Sequence, residues 1–259
     1  MMLDDTAART AFENYLDNYD RKNDKVKLKI AHTYGVVAQS TGIAARKELS
    51  EEDVFLARII ALLHDIGRFE QLKLYDSFLP ETMDHAAYGT RVLFQEGMIR
   101  RFVPENTWDD IIKTAIAKHS DFALSGIEDE RTLLHARIIR DADKLDNCRV
   151  KLTDPLETFM GAGAEEIGAS AISPKIRRDA LEGKSILSAD RVTLMDYWVS
   201  YVAYFYDLNF RASLDIVEEN DYVRRIIRRI PYTDPGTAET MAELERRLIQ
   251  YVHEAKQTD

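Results

Sequence analysis

The chain has little cysteine, little proline and no long apolar run. Its 259 residues include 1 Cys, 6 Pro and 11 Gly. A single cysteine, Cys148, excludes an internal disulfide framework and fits a reducing compartment. The apolar stretch at residues 59–63, between Arg58 and His64, is far too short to span a bilayer. The composition is that of a globular protein with a core of useful size.

The chain also lacks an excess of positive charge. It has 35 Lys and Arg against 45 Asp and Glu, which gives a formal net charge of −10. This balance argues against general binding to nucleic acid or to an anionic membrane, although it leaves room for a local basic pocket. Residues 1–5 lack the basic-then-apolar pattern of a signal peptide, so we expect a cytoplasmic protein.

Helical periodicity runs through most of the chain, and no convincing β-type alternation accompanies it. Apolar residues recur at intervals of three and four, and residues that favour helix ends lie between the periodic segments. A bend or interruption is expected near Gly35. We predict helices over residues 6–19, 26–45, 50–67, 84–95, 107–119, 130–147, 174–181, 191–206, 210–230 and 236–256.

Some of these helix ends have specific signals. Ser50 and Asp84 are candidate N-caps, and Asn106 or Thr107 is expected to cap the helix that reaches residue 119. Gly67 is expected to end the third helix in a left-handed conformation. The following segment, residues 72–83, is too apolar for a simple linker. Packing on the body of the protein and a wall or lid over a pocket both remain open.

Residues that can bind metal ions follow one another in a definite order along these helices. The pair His64-Asp65 ends an apolar helix, where burial without partners would be costly. A metal ion would be such a partner, although the pair alone favours a capped helix end with a hydrogen-bonded histidine. The whole series is His32, His64, Asp65, His85, His119 and Asp143, each on a predicted helix or helix end.

With this order, and with His-Asp-Ile-Gly at 64–67 and Asp-Ala-Asp-Lys-Leu-Asp at 141–146, the chain resembles the HD-domain superfamily of metal-dependent phosphohydrolases. The resemblance is to the subset with a two-metal pattern. It implies an all-α fold, an HD-domain helical bundle with a C-terminal helical extension. We therefore expect a metal-binding helical core over residues 1–157 and an extension packed on it over 158–259.

The resemblance also implies how the ligands divide between two ions. The first ion would be held by His32, His64, Asp65 and Asp143. The second would be held by His85 and His119, with Asp65 bridging both ions and acting as a catalytic residue. Imidazoles and carboxylates suit divalent transition metals, with Fe or Mn favoured and Co, Ni or Zn as alternatives. A hydroxide shared by the ions would attack phosphorus.

Basic residues beside the ligands are candidates for binding phosphate. Arg68 follows the His-Asp-Ile-Gly motif and Lys144 follows Asp143, and both are expected to serve catalysis. Asp146 could orient an imidazole, but solvation or helix capping is the simpler interpretation. His135 is expected to pack or lie at the surface rather than to join the site.

The function implied is a metal-dependent phosphohydrolase that acts on a small phosphorylated substrate, a nucleotide or a phosphate ester. Neither a nucleic-acid polymer nor a membrane is expected as a partner, and homo-oligomerisation is left open. Two alternatives stay open as well. One is a mixed-valence di-iron oxygenase of the same superfamily, and the other is a metal-dependent nucleotide-binding sensor without turnover.

Overall fold

A computed structural model describes residues 5–255. No β-strand occurs within this range, and its regular elements are all helices, which confirms the predicted all-α class. The chain divides into two compact units, Met1–Asp146 and Asn147–Asp259. The boundary expected at residue 157 and the packing of the extension on the core stay predictions. Residues 1–4, on which the expectation of no signal peptide depends, lie outside the described range. Lys256, the last residue of the final predicted helix, lies outside it too.

The first unit is built from helices that pack on their neighbours in the chain. Its α-helices are α1 (Thr6–Leu16), α2 (Asp24–Arg46), α3 (Glu51–Leu63), α4 (Ile66–Tyr75), α5 (His85–Thr90), α6 (Asp109–Lys118) and α7 (Glu130–Thr153), which continues past Asp146. Helix α2 packs on α3 and α4, α4 packs on α5, and α5 packs on α6. A π-helical turn, Arg91–Gln95, continues α5. These contacts bring the ends of several helices together.

Side-chain caps determine where several helices begin. Ser50 accepts a hydrogen bond from the amide of Asp53, and Asp84 accepts one from the amide of Ala87. Both predicted N-caps are thus confirmed, and each is worth about 1 kcal/mol. The cap predicted at Asn106 or Thr107 was wrong, because α6 begins only after Trp108.

Helix α3 places the His-Asp-Ile-Gly motif, which follows it directly, in the interior of the first unit. Residues 59–63 at its end are each at most 2% exposed. A helix end that is apolar all round is stable only when it is surrounded by protein, and burying each large aliphatic side chain contributes about 1.5–3 kcal/mol. The polar pair that follows, His64 and Asp65, is therefore held inside the unit rather than at its surface.

The prediction that Gly67 ends the third helix was wrong. Helix α3 ends at Leu63, and Gly67 lies in the first turn of α4. A Cβ at Gly67 would lie 2.2 Å from the carbonyl oxygen of His85 and 2.8 Å from the backbone nitrogen of Gly89. The glycine is required by the close approach of α4 to α5, and no left-handed turn is involved.

The second unit is also helical. Its α-helices after α7 are α8 (Leu156–Met160), α9 (Ala164–Ala169), α10 (Pro174–Leu181), α11 (Leu194–Ala203), α12 (Arg211–Glu219), α13 (Tyr222–Ile227) and α14 (Pro235–Ala255). The single helix predicted over residues 210–230 is divided into α12 and α13 at Asp221, which has a φ of 49°. Among the described residues, no helix combines the length and the apolarity that a membrane crossing needs.

Candidate metal centre

The six predicted ligands converge inside the first unit and form two clusters of three. Within each cluster, one ligand atom from every residue lies within 4.8 Å of the others. The clusters are His32 with His64 and Asp143, and Asp65 with His85 and His119. All of these residues are buried except Asp143, which is half-buried. Such a gathering of imidazoles and carboxylates is the chemistry that binds divalent transition metals.

Asp65 lies between the two clusters. Its Oδ2 is 3.4 Å from Nε2 of His64 and 3.9 Å from Nε2 of His32. Its Oδ1 is 3.2 Å from Nε2 of His85 and 3.7 Å from Nε2 of His119. One carboxylate oxygen therefore faces each cluster, which is the arrangement that a shared ligand requires.

Helix ends, rather than helix faces alone, position these side chains. The placements are His32 within α2, His64 directly after α3, Asp65 directly before α4, His85 as the first residue of α5, His119 directly after α6, and Asp143 within α7. The connection between α3 and α4 is only two residues long, and both of those residues are ligand candidates. The junction thus presents an imidazole and a carboxylate side by side.

Backbone carbonyls orient two of the imidazoles. Nδ1 of His64 donates to the carbonyl oxygen of Ala61, and Nδ1 of His119 donates to that of Ile116, both at 2.7 Å. Because a carbonyl oxygen can only accept, the proton of each neutral ring is on Nδ1. The Nε2 lone pair of each ring then points into the cluster, as a metal ligand requires.

His32 shows most directly that these residues fit a cation. Its Nδ1 lies 2.7 Å from Oδ2 of Asp146, and its Nε2 lies 3.0 Å from Oδ1 of Asp143. A neutral imidazole can donate to only one of them, and Nε2 makes no hydrogen bond of acceptable geometry with any residue in the range 5–255. Nε2 of His64 is likewise buried, with no hydrogen-bond partner in the described part of the chain. An unsatisfied buried polar atom costs about 1–3 kcal/mol, which a bound metal ion would remove.

Two basic side chains contact Asp65. Lys29 donates a hydrogen bond from Nζ to Oδ2, and Nε of Arg68 lies 3.7 Å from Oδ1. Burial alone would raise the pKa of Asp65, but the charges of Lys29 and His64 outweigh it and hold this pKa well below its usual value. Sequence reasoning identified Arg68 and missed Lys29. The available signal was its position three residues before His32, on the same face of α2.

His85 is held neutral by its surroundings. Its Nε2 lies 3.1 Å from Nη2 of Arg68 and 3.1 Å from Nε2 of His119. Burial, and then the charge of Arg68, lower the pKa of His85 to about 3. The imidazole is therefore uncharged at neutral pH, which is the form that binds metal ions.

Asp146 lies in contact with the site, contrary to the simpler interpretation of solvation or capping. It is only 1% exposed and accepts the hydrogen bond from His32. Gly35 makes room for it, since a Cβ at Gly35 would lie 1.9 Å from Asp146 Oδ1. The interruption predicted near Gly35 was also wrong, because α2 is continuous from Asp24 to Arg46. The glycine serves a contact with α7, and a bend of α2 at this position stays a prediction.

The remaining candidates lie in different surroundings. Lys144 donates from Nζ to the carbonyl oxygen of Arg140, one turn earlier in α7, at 3.5 Å. Its expected catalytic role stays a prediction. His135 is buried, and its Nε2 lies 3.0 Å from Oδ1 of Asp53, so the packing interpretation is confirmed.

Residues 72–75 of the segment predicted over 72–83 belong to α4. The rest of the segment is attached to that helix through its backbone. Arg68 donates to the carbonyl oxygen of Phe78 at 3.2 Å, and Gln71 donates to that of Leu79 at 2.9 Å. Tyr75 and Leu79 nevertheless remain about half exposed. The backbone contacts fit the packing interpretation, whereas a role as a wall or lid stays a prediction.

Taken together, the fold and the clusters define a class, an all-α protein with a candidate metal centre gathered from helix ends. Comparison with protein-family models is more specific. Residues 30–148 match the model described as HD domain, so this part of the chain belongs to the HD-domain superfamily, whose members bind divalent metal ions. Comparisons with curated proteins and with solved structures found no match.

Proposed function

We propose that the protein is a metal-dependent phosphohydrolase that acts on a small phosphorylated substrate, a nucleotide or a phosphate ester. The observation that carries this proposal is the pair of buried clusters with Asp65 between them. Membership of a superfamily made up largely of hydrolases supports it. Two divalent ions, Fe or Mn in preference to Co, Ni or Zn, would activate a water molecule and neutralise charge on a phosphoryl group.

The residues assigned to each ion follow the geometry. His32, His64 and Asp143 would hold one ion, His85 and His119 would hold the other, and Asp65 would contribute one oxygen to each. His64 and His119 offer Nε2 because backbone carbonyls hold their Nδ1 protons. His85 offers a neutral ring because burial and Arg68 lower its pKa. Three of the imidazoles therefore already face the clusters with Nε2 before metal arrives.

Arg68 is proposed to bind the phosphate group. Its guanidinium group is held by Gln71 and by the carbonyl of Phe78, and its buried Nε has no hydrogen-bond partner among the residues that the structure describes. An arginine fixed in this way can donate hydrogen bonds to phosphate oxygens with little loss of side-chain entropy. Lys144 is retained as a second candidate for this role.

The test is metal analysis followed by turnover with a panel of phosphorylated substrates. We expect about two ions per chain and release of phosphate or nucleotide by the loaded protein. Asp65→Asn, which keeps the shape of the side chain, should lose both metal and turnover, whereas Glu81→Ala, an exposed change in the neighbouring segment, should lose neither. Full metal retention by Asp65→Asn would contradict the bridge.

The same assay separates the alternatives. A hydrolase works equally well under nitrogen, since it consumes no oxygen. Turnover that requires oxygen would overturn the proposal in favour of the oxygenase. Tight nucleotide binding without turnover, under any of the five metals, would overturn it in favour of the sensor.

A further inference from the structure

Lys29 is a lysine inside the candidate metal centre. Its side chain is 11% exposed, and its Nζ has a single hydrogen-bond partner among the described residues, Oδ2 of Asp65. The centre of the Phe78 ring lies 6.0 Å from the same Nζ, and the ring helps to shield it from water. A buried ammonium group is costly without an anion beside it, so the position is sustained by Asp65.

Asp65 is also the residue that both ions would use. Lys29 lies at one of its oxygens and Arg68 at the other, so a single carboxylate is placed between two cations. If divalent ions occupied these oxygens, each basic side chain would face added positive charge at short range. Arg68 is restrained by Gln71 and Phe78. Lys29 has a flexible four-carbon stem, and within residues 5–255 its Nζ makes no second hydrogen bond.

We propose that Lys29 is a phosphate-binding residue whose ammonium group leaves Asp65 when metal binds and contacts an oxygen of the substrate's phosphate group. This inference rests on the proposed function. The buried ammonium group still requires an anion after the ions take Asp65, and the phosphate group is the anion that enters the same space. Lys29 and Arg68 would then bind the phosphate from opposite sides of Asp65.

The experiment measures binding of inorganic phosphate to the Mn²⁺-loaded full-length protein by calorimetry, with metal content determined on the same samples. Lys29→Met should keep both ions and bind phosphate roughly ten- to hundredfold more weakly, the usual loss for a charged hydrogen bond. Lys27→Met is the matched control, because Lys27 is an exposed residue of α2 whose Nζ lies 3.1 Å from Asp24. It should bind phosphate like the unmodified protein.

The outcomes are distinct. Unchanged phosphate affinity in Lys29→Met with both ions in place would overturn the role of Lys29 and leave the proposed function intact, since the ammonium group would then serve only as a counter-charge for Asp65. Failure of the unmodified loaded protein to bind phosphate would overturn both. If Lys29→Met does not fold, Lys29→Gln, which can still donate to Asp65, carries the same comparison. Recovery of affinity in Lys29→Arg would support the proposal.

Discussion

At the scale of single residues, Asp146 determines how His32 faces the centre. Its Oδ2 accepts a hydrogen bond from Nδ1 of His32 at 2.7 Å, so that Nε2 on the other side of the ring faces Asp143. We predict that Asp146→Asn lowers metal affinity by roughly ten- to hundredfold, because the negative charge that fixes the ring is lost. Competition with a chelator of known affinity measures the change. Asp110→Asn, an exposed substitution on α6, is the control. Equal affinity in both variants would contradict the role of Asp146.

The candidate ligands that form the two clusters were predictable from sequence, but the residues that contact them were mostly not. The ligand types and their order along the chain identify His64 and Asp65 without any knowledge of distance. Asp146 lies 114 residues from His32, and Lys29 lies 36 residues from Asp65. A local sequence pattern does not indicate that such residues are in contact, because the contact depends on how whole helices pack.

At the scale of the helix, α2 contains two glycines in different surroundings. A Cβ at Gly35 would lie 1.9 Å from Oδ1 of Asp146, whereas a Cβ at Gly42 would meet nothing within 4 Å. We predict that Gly42→Ala stabilises the protein by about 0.5–1 kcal/mol, because alanine loses less entropy in a helix. Gly35→Ala should instead displace Asp146, destabilise the protein by about 1–3 kcal/mol and weaken metal binding.

Urea unfolding and metal titration of both variants check this pair. The two substitutions are chemically identical and lie in the same helix, so each serves as the control for the other. If Gly35→Ala bound metal as tightly as Gly42→Ala, the space beside Asp146 would have no bearing on His32.

The beginning of α3 is joined to α7 by a half-buried carboxylate. Asp53 accepts hydrogen bonds from Ser50 at 2.6 Å, from Arg131 at 2.7 Å and from His135 at 3.0 Å. Burial opposes its charged form, but these donors outweigh burial and lower the pKa of Asp53 to about 2. A folded-state pKa below the unfolded one stabilises the protein above pH about 4, and this contribution is lost as the pH falls towards 2.

We predict that Asp53→Asn lowers the free energy of unfolding by about 1–2 kcal/mol at neutral pH, after allowance for solvent screening. The difference from the unmodified protein should shrink between pH about 4 and about 2. Denaturant unfolding across this range measures it. A difference that stayed constant with pH would show that the carboxylate charge is not what stabilises the junction.

Helix boundaries were predictable where their cause is local. The caps at Ser50 and Asp84 depend on an amide three residues away, and both were found from sequence. Gly67 was misinterpreted because its reason is the backbone of His85, which lies on another helix. Asp221 was missed because a left-handed aspartate has no strong sequence signal.

At the scale of the whole molecule, the helical periodicity was sufficient to predict the all-α class. The spacing of apolar residues indicates which residues of a helix are buried, and this burial is what stabilises most helices. The division into two units depends on which helices contact one another, and that information is spread over pairs distant in sequence. The net charge of −10 acts at this scale too, since it disfavours polyanions in general while leaving the centre free to hold a small phosphate group.

Metal binding should stabilise the folded chain as a whole. The candidate ligands extend from His32 to Asp143 and meet only when the first unit is folded, so the unfolded chain could not hold ions in the same way. We predict that Mn²⁺ at about 100 times its dissociation constant adds roughly 2.7 kcal/mol, equivalent to roughly 5–10 °C in Tm. Calorimetry with and without a chelator measures this shift. Asp65→Asn should show none, and an equal shift in that variant would mean that the ions bind elsewhere.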